Sequence, residues 1–170
     1  LIFSCSNNKE SNTNYIGYLV SNDSIKIPFN FDYKKSGISI NNGDELVFLR
    51  LNNSFKDSLK FESPFFEEYI NFKINGDSLK GYLYNQSLSR KIPFYAIPGI
   101  DRFENKFFSE NVDLNGEWRI IFNFSKSDSY EGKLIVNQSD SDVVSTVRTE
   151  TGDYGYMQGK INFNELSISN

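Results

Sequence analysis

Histidine is missing from the 170 residues, and cysteine, alanine, methionine and tryptophan occur once each. Each shortage excludes something. Without histidine the usual general base and the commonest metal ligand are gone. The single cysteine, Cys5, allows neither an internal disulfide nor a Cys-x-x-Cys redox pair. With Ala96 alone, the best helix former is almost withdrawn. No stretch approaches the ~20 apolar residues of a membrane-spanning helix. The net charge is −4, and the lysines and arginines are scattered in ones and twos. Nucleic-acid binding needs a concentrated basic face, so it is not the expected role.

Aromatics are plentiful, with sixteen Phe and ten Tyr. Together with Ile and Val they suit a pleated, half-buried surface. Apolar and polar residues alternate in short runs between turn signals. Examples are Tyr15 to Val20, Ile25 to Phe31, Glu45 to Leu51, Tyr69 to Ile74 and Leu79 to Tyr84. Trp118 to Phe124, Tyr130 to Val136, Val143 to Thr149 and Tyr154 to Ile161 continue the pattern. Asn42-Gly43 and Asn75-Gly76 mark tight hairpins, since both residue types tolerate positive φ. Pro93 within Lys91 to Ala96 points to an edge or a bulge. Pro64 to Ile70 is expected to form a helical turn. Phe103, Phe107 and Phe108 suggest a short helix or a packed linker. The expected fold is all-β, an antiparallel sandwich or barrel of about a dozen short strands.

Two echoes suggest a pair of duplicated lobes. Ile25-Lys26-Ile27-Pro28-Phe29-Asn30-Phe31 matches Trp118-Arg119-Ile120-Ile121-Phe122-Asn123-Phe124, and Ile74 to Leu79 matches Ile161 to Leu166. The expected division is a first lobe over 15–98, a linker over 99–113 and a second lobe over 114–170, preceded by a tether over 1–14.

Leu1-Ile2-Phe3-Ser4-Cys5 reads as the end of an apolar signal segment, closing on a small residue and a cysteine. It resembles a bacterial lipobox. That likeness implies cleavage before Cys5 and acylation of its thiol, so the expected location is the cell envelope, on the periplasmic or outer-surface side. The polar residues Ser6 to Asn14 are too hydrophilic to fold and suit a flexible tether.

A set of short blocks occurs in one order: Ile27-Pro28-Phe29-Asn30-Phe31, Asn42-Gly43-Asp44-Glu45, Ile92-Pro93-Phe94-Tyr95-Ala96, Arg102-Phe103, Leu114-Asn115-Gly116-Glu117-Trp118 and Thr149-Glu150-Thr151-Gly152-Asp153-Tyr154. Together they resemble the N-terminal β domain that precedes a thioredoxin-like domain in Bacteroidetes envelope proteins of the TlpA and peroxiredoxin-like type. The resemblance implies a thiol–disulfide oxidoreductase parent whose Cys-x-x-Cys lies outside these residues. It implies as partners the membrane, a following thioredoxin-like domain and envelope substrate proteins. Two positions depart from the family pattern: Gly155 stands where arginine is usual, and Ser145-Thr146-Val147 replaces Gly-Thr-Phe.

No catalytic, metal or cofactor motif is legible. Gly152-Asp153-Tyr154-Gly155-Tyr156 lacks the strand-to-helix setting and the third glycine of a phosphate loop. Asn137 to Asp142 is oxygen-rich but lacks the glycine and terminal glutamate of a calcium loop. Adjacent Glu67 and Glu68 would face opposite ways in a strand. Gly116-Glu117-Trp118 resembles the Gly-x-Trp of lipocalin-like barrels, but the motif is short, and the expectation is that Trp118 is buried where the two lobes meet. Asp23-Ser24-Ile25, Asp57-Ser58-Leu59 and Asp77-Ser78-Leu79 resemble the O-glycan acceptor pattern of Bacteroidetes envelope proteins, which makes Ser24, Ser58 and Ser78 candidate modification sites. The leading expectation is a non-catalytic, lipid-anchored β module. The rival is a stand-alone lipoprotein with an aromatic pocket for a sugar or small apolar ligand.

Overall fold

The computed structural model describes residues 13–21, 25–65 except 56, 67–103, 112–163 and 165–169. Within them the chain is all-β. The first eight strands are β1 (Thr13–Ser21), β2 (Ile25–Lys34), β3 (Gly37–Asn42), β4 (Glu45–Phe55), β5 (Ser58–Glu62), β6 (Glu68–Asn75), β7 (Ser78–Asn85) and β8 (Arg90–Pro98). Each pairs antiparallel with the next, and β8 returns to β1, with Tyr18 opposite Tyr95, to close a barrel. Five more strands follow: β9 (Gly116–Phe122), β10 (Tyr130–Ser139), β11 (Asp142–Thr149), β12 (Gly152–Asn162) and β13 (Glu165–Ser169). They form a separate antiparallel meander in the order β13-β12-β11-β10-β9.

Period-two alternation decides what fills the barrel. Phe29 and Phe31 of β2, Phe61 of β5, Phe72 of β6 and Phe94 of β8 point inward and are almost fully buried. Their rings meet in offset and edge-on pairs. Phe61 and Phe72 stack at 5.1 Å, and Tyr33 meets both edge-on at 6.2 and 6.0 Å. Such geometry suits the ring quadrupole. Eight strands make a barrel just wide enough for side chains to fill. Large rings on one wall are matched by Gly17 and Gly81 on others, and a Cβ on Gly17 would lie 2.7 Å from the Phe29 ring.

Tyr15 and Tyr33 belong to this interior, and burial pushes both phenols above their ordinary value of 10. For Tyr15 the carboxylate of Asp77 adds to the effect. The fold therefore favours the protonated phenols. Their contribution to stability is complete below pH 10 and is lost as pH rises through the raised native values. Phenolate absorbance in an alkaline titration should show two late tyrosines ionising as strand circular dichroism disappears. A Tyr15→Phe/Tyr33→Phe double variant should unfold at higher pH. If variant and wild type unfold at the same alkaline pH, the two phenols are not coupled to folding.

Glycine sets the tight turns. In both Gly43-Asp44 and Gly76-Asp77 the glycine alone has φ of 60°, at the first loop position, while Asn42 and Asn75 are the last strand residues. This is the type II′ pattern rather than one with asparagine and glycine both left-handed. Gly155, with φ of 70°, sits where β12 carries an extra residue against β11 between Thr146 and Arg148. That bulge needs a left-handed residue, which glycine supplies without the steric cost an arginine would meet.

The chain departs from expectation at three places. The described residues of Pro64 to Ile70 form no helical turn. The chain bends after β5, the Ser63 amide donates to the Glu68 carbonyl at 2.9 Å, and β6 begins. Pro93 lies within a closed barrel rather than on an outer edge. The β1 ladder ends opposite Phe94, so Pro93 sits just beyond it, where its missing N–H interrupts no bond to β1. The first pair of echoed segments occupies unlike places, since Ile25–Phe31 lies in β2 between two neighbours whereas Trp118–Phe122 lies in β9 at a sheet edge. The second pair forms two hairpins, β6–β7 and β12–β13. Phe107 and Phe108 lie outside the described residues.

Candidate binding site

Arg102 joins the barrel to the five-stranded sheet. It is 7% exposed, and its Nη2 donates to Asn42 Oδ1 at 2.9 Å, Gln158 Oε1 at 3.1 Å and the Ser169 carbonyl at 3.2 Å. These acceptors belong to β3, β12 and β13, so one guanidinium holds three strands from both units. Asn42 Nδ2 in turn donates to the Tyr156 carbonyl, and Ser169 Oγ donates to the Pro28 carbonyl at 2.6 Å. Arg102 Nη1 is buried and has no hydrogen-bond partner among the described residues. Burial pushes the guanidinium down to about 10, which leaves it charged at neutral pH.

A cleft of about 560 Å³ opens beside this junction, with Asp101, Arg102, Asp142 and Lys160 among its walls. Lys160 Nζ lies 3.0 Å from Asp101 Oδ2 and 3.6 Å from Asp142 Oδ1. Burial alone would lower the ammonium, but the two carboxylates outweigh it and hold Lys160 above its ordinary value. The cations of this cleft are already committed to acceptors within the chain.

A larger depression, about 940 Å³, lies on the five-stranded sheet. Its floor comes from alternation on β9 and β10. Glu117, Arg119, Glu131 and Lys133 share one face, shown by Lys133 Nζ at 2.7 Å from Glu117 Oε2 and Arg119 Nε donating to Glu131 Oε2 at 3.0 Å. The pairing raises the Arg119 guanidinium and lowers the Glu131 carboxyl. Arg119, Lys133 and Arg148 stand directly opposite one another on β9, β10 and β11. Like charges in such register repel. Glu117 and Glu131, placed diagonally, offset that for two of them. Trp118, Tyr130 and Tyr154 also border the depression.

The other face of the sheet is apolar. Val136, Val143 and Ile161 form its small core, with Val112 and Leu114 of the preceding segment laid across it. Gln138 secures that segment, accepting from the Leu114 amide at 2.8 Å and donating to the Val112 carbonyl at 2.9 Å. Trp118 Nε1 donates to the Leu114 carbonyl at 2.8 Å, yet the residue stays 45% exposed beside an apolar notch of about 320 Å³. At the far end Phe122 stacks on Tyr130 at 4.7 Å and on Tyr154 at 5.7 Å.

The structure separates the candidate residues. Cys5 and Ser24 lie outside the described residues. Ser58 and Ser78 both open strands after hairpin turns, half-buried, with Ser58 Oγ bonded to Asn71 Oδ1 and Ser78 Oγ donating to the Asn75 carbonyl at 2.9 Å. Glu68 accepts from Asn85 Nδ2 at 2.7 Å. Among the described residues no cluster of three or more acidic or cysteine side chains is arranged to hold a metal. No helix there is long and apolar enough to cross a membrane. Sequence reading missed the charged face of β9 and β10, although its signal was present: Glu117/Arg119 and Glu131/Lys133 each place opposite charges two residues apart, on one side of a strand.

No protein-family model matches the chain, and no curated protein and no solved structure matches it.

Proposed function

We propose that this chain is a non-catalytic recognition and positioning module of the cell envelope, tethered by acylation of Cys5, whose outer surface engages other polypeptides. In the fuller form of this reading it carries a thioredoxin-like oxidoreductase domain and holds substrate proteins near it. The observation in its favour is where the structure spends its aromatic side chains. Phe29, Phe31, Phe61, Phe72 and Phe94 fill the barrel interior, and the open surface lies on the five-stranded sheet. A filled barrel with an open sheet beside it suits surface recognition better than enclosure of a ligand. A tether would confine that surface to two dimensions and raise the effective concentration of its partners. Several acyl chains, at ~0.8 kcal/mol per buried methylene, suffice for a stable anchor.

Metabolic labelling with palmitate in a bacterial host tests the tether. The protein should take up label and partition with membranes, and Cys5→Ser should abolish both. Unlabelled wild-type protein would refute it. The redox connection has its own test: reading the gene beyond Asn170 should reveal a strand–helix pattern with Cys-x-x-Cys.

The rival, a sugar-binding lipoprotein, is favoured by the depression on the sheet, which is floored by fixed Glu–Lys and Glu–Arg pairs. Such pairs present donors and acceptors to hydroxyl groups together. Binding of neutral oligosaccharides, lost in Arg119→Ala, would support this rival.

A further inference from the structure

The closed barrel has no free edge, because β1 and β8 pair with each other. The five-stranded sheet has two. β13 is five residues long, and its end is tied to the barrel through Ser169. β9 pairs with β10 along all seven of its residues, and among the described residues no strand lies on its other side. It contains no proline or lysine, and Trp118 and Ile121 on it are 45% and 37% exposed. An edge strand with such a sequence presents unpaired backbone N–H and C=O groups ready to accept another strand.

We propose that the occupant is β9 of a second copy of this chain, paired antiparallel about a two-fold axis at Trp118. The argument is complementarity. In registers that keep both apolar faces on one side, one residue sits on the axis. With Trp118 there, Glu117 of each copy stands opposite Arg119 of the other, and the two Trp118 side chains meet. With Arg119 on the axis, the two guanidinium groups oppose each other. With Ile120 there, Arg119 faces Ile121 and Glu117 faces Asn123. Only the Trp118 register matches the charges.

The pairing also fits the charges already in place. Glu131 is bonded to Arg119, and Glu117 to Lys133, within one copy. Across the joint, the row would read Glu131, Arg119, then Glu117 and Lys133 of the second copy, alternating in sign. On the opposite face the apolar notch beside Trp118 would adjoin its symmetry mate, covering the exposed indole. The result is one continuous ten-stranded sheet between two barrels, within the size range of open sheets. Closure by a two-fold axis leaves no further edge for β9 to extend. This inference is independent of the tether.

Directly opposed residues in an antiparallel pair have Cα atoms ~4.5–5.5 Å apart, inside the disulfide window of ~4.4–6.8 Å. With Cys5→Ser removing the native thiol, Trp118→Cys should therefore cross-link two copies under mild oxidation. Ile121→Cys places the thiols six positions out of register, ~20 Å apart, and should cross-link at least about tenfold less. Wild-type protein should show a monomer–dimer equilibrium in sedimentation velocity from micromolar to submillimolar concentration. The dimer fraction should fall at high salt, since exposed ion pairs are screened. A wild-type chain monomeric throughout, or equal cross-linking at both cysteine positions, overturns the proposal. A monomer whose β9 amides become protected only when another protein is added gives the edge to a foreign strand and likewise overturns it.

Discussion

Phe72→Ala is expected to lower the unfolding free energy by about 3–5 kcal/mol, the range for removing a buried phenyl ring from a core. Phe72 is fully buried and touches rings on three other strands: Phe61 at 5.1 Å, Phe94 at 5.9 Å and Tyr33 at 6.0 Å. The loss combines transfer of the ring with the cavity left behind. Collapse is restricted, because the strands on every side are held by a closed hydrogen-bonded ring and cannot move inward independently. Chemical denaturation checks the value, with Phe65→Ala as a control. Phe65 is 71% exposed and should change stability by no more than about 0.5 kcal/mol. Equal effects at the two positions would mean that the barrel is not filled as described.

Gly81→Ala should be worse, although it adds only a methyl group. Gly81 stands opposite Phe72 on one side and Phe94 on the other. A Cβ there would lie 1.8 Å from the Asn71 carbonyl oxygen and 2.6 Å from the Phe72 Cα. Both are backbone atoms of β6, so no rotamer change relieves the clash and the β6–β7 ladder must part. The cost should exceed the ~1–3 kcal/mol typical of overpacking a core by a methylene. Loss of soluble folded protein, or a large fall in the thermal midpoint, is the expected readout. A variant that folds with unchanged stability would show that β6 and β7 are further apart than described.

Both positions show how far the sequence could be read. Alternation placed Phe29 and Phe31 on one side of a strand, and Gly43 and Gly76 announced their turns. Alternation has the same period in a sandwich and in a barrel, so it could not say that β8 would return to β1. Closure depends on the pairing of Tyr15–Leu19 with Phe94–Pro98, a long-range register with no local signature. The junction was hidden for a similar reason. Arg102 is one scattered cation among eighteen Lys and Arg residues, and its acceptors Asn42, Gln158 and Ser169 are remote in the chain. Pro64 to Ile70 looked helical because a short apolar run carries little information on period, and the Ser63–Glu68 backbone bond decided it. Gly155 looked like a departure from a family block, and the bulge in β12 gives it a reason.

Barrel closure also sets an order of events during synthesis. Strands β9 to β13 form a meander in which every ladder joins consecutive strands, so each contact closes a short loop. β1 has to wait for its second neighbour until β8 has been made, nearly the whole barrel later. Non-local pairings of this kind fold slowly, because loop-closure entropy is lost before contacts return it. On the ribosome the first strand of the barrel therefore gains its second neighbour only when the last barrel strand has been made. Until then its outer edge and the rings of Tyr15 and Phe31 remain open to aggregation, and the barrel is the part of this chain for which a chaperone would matter most.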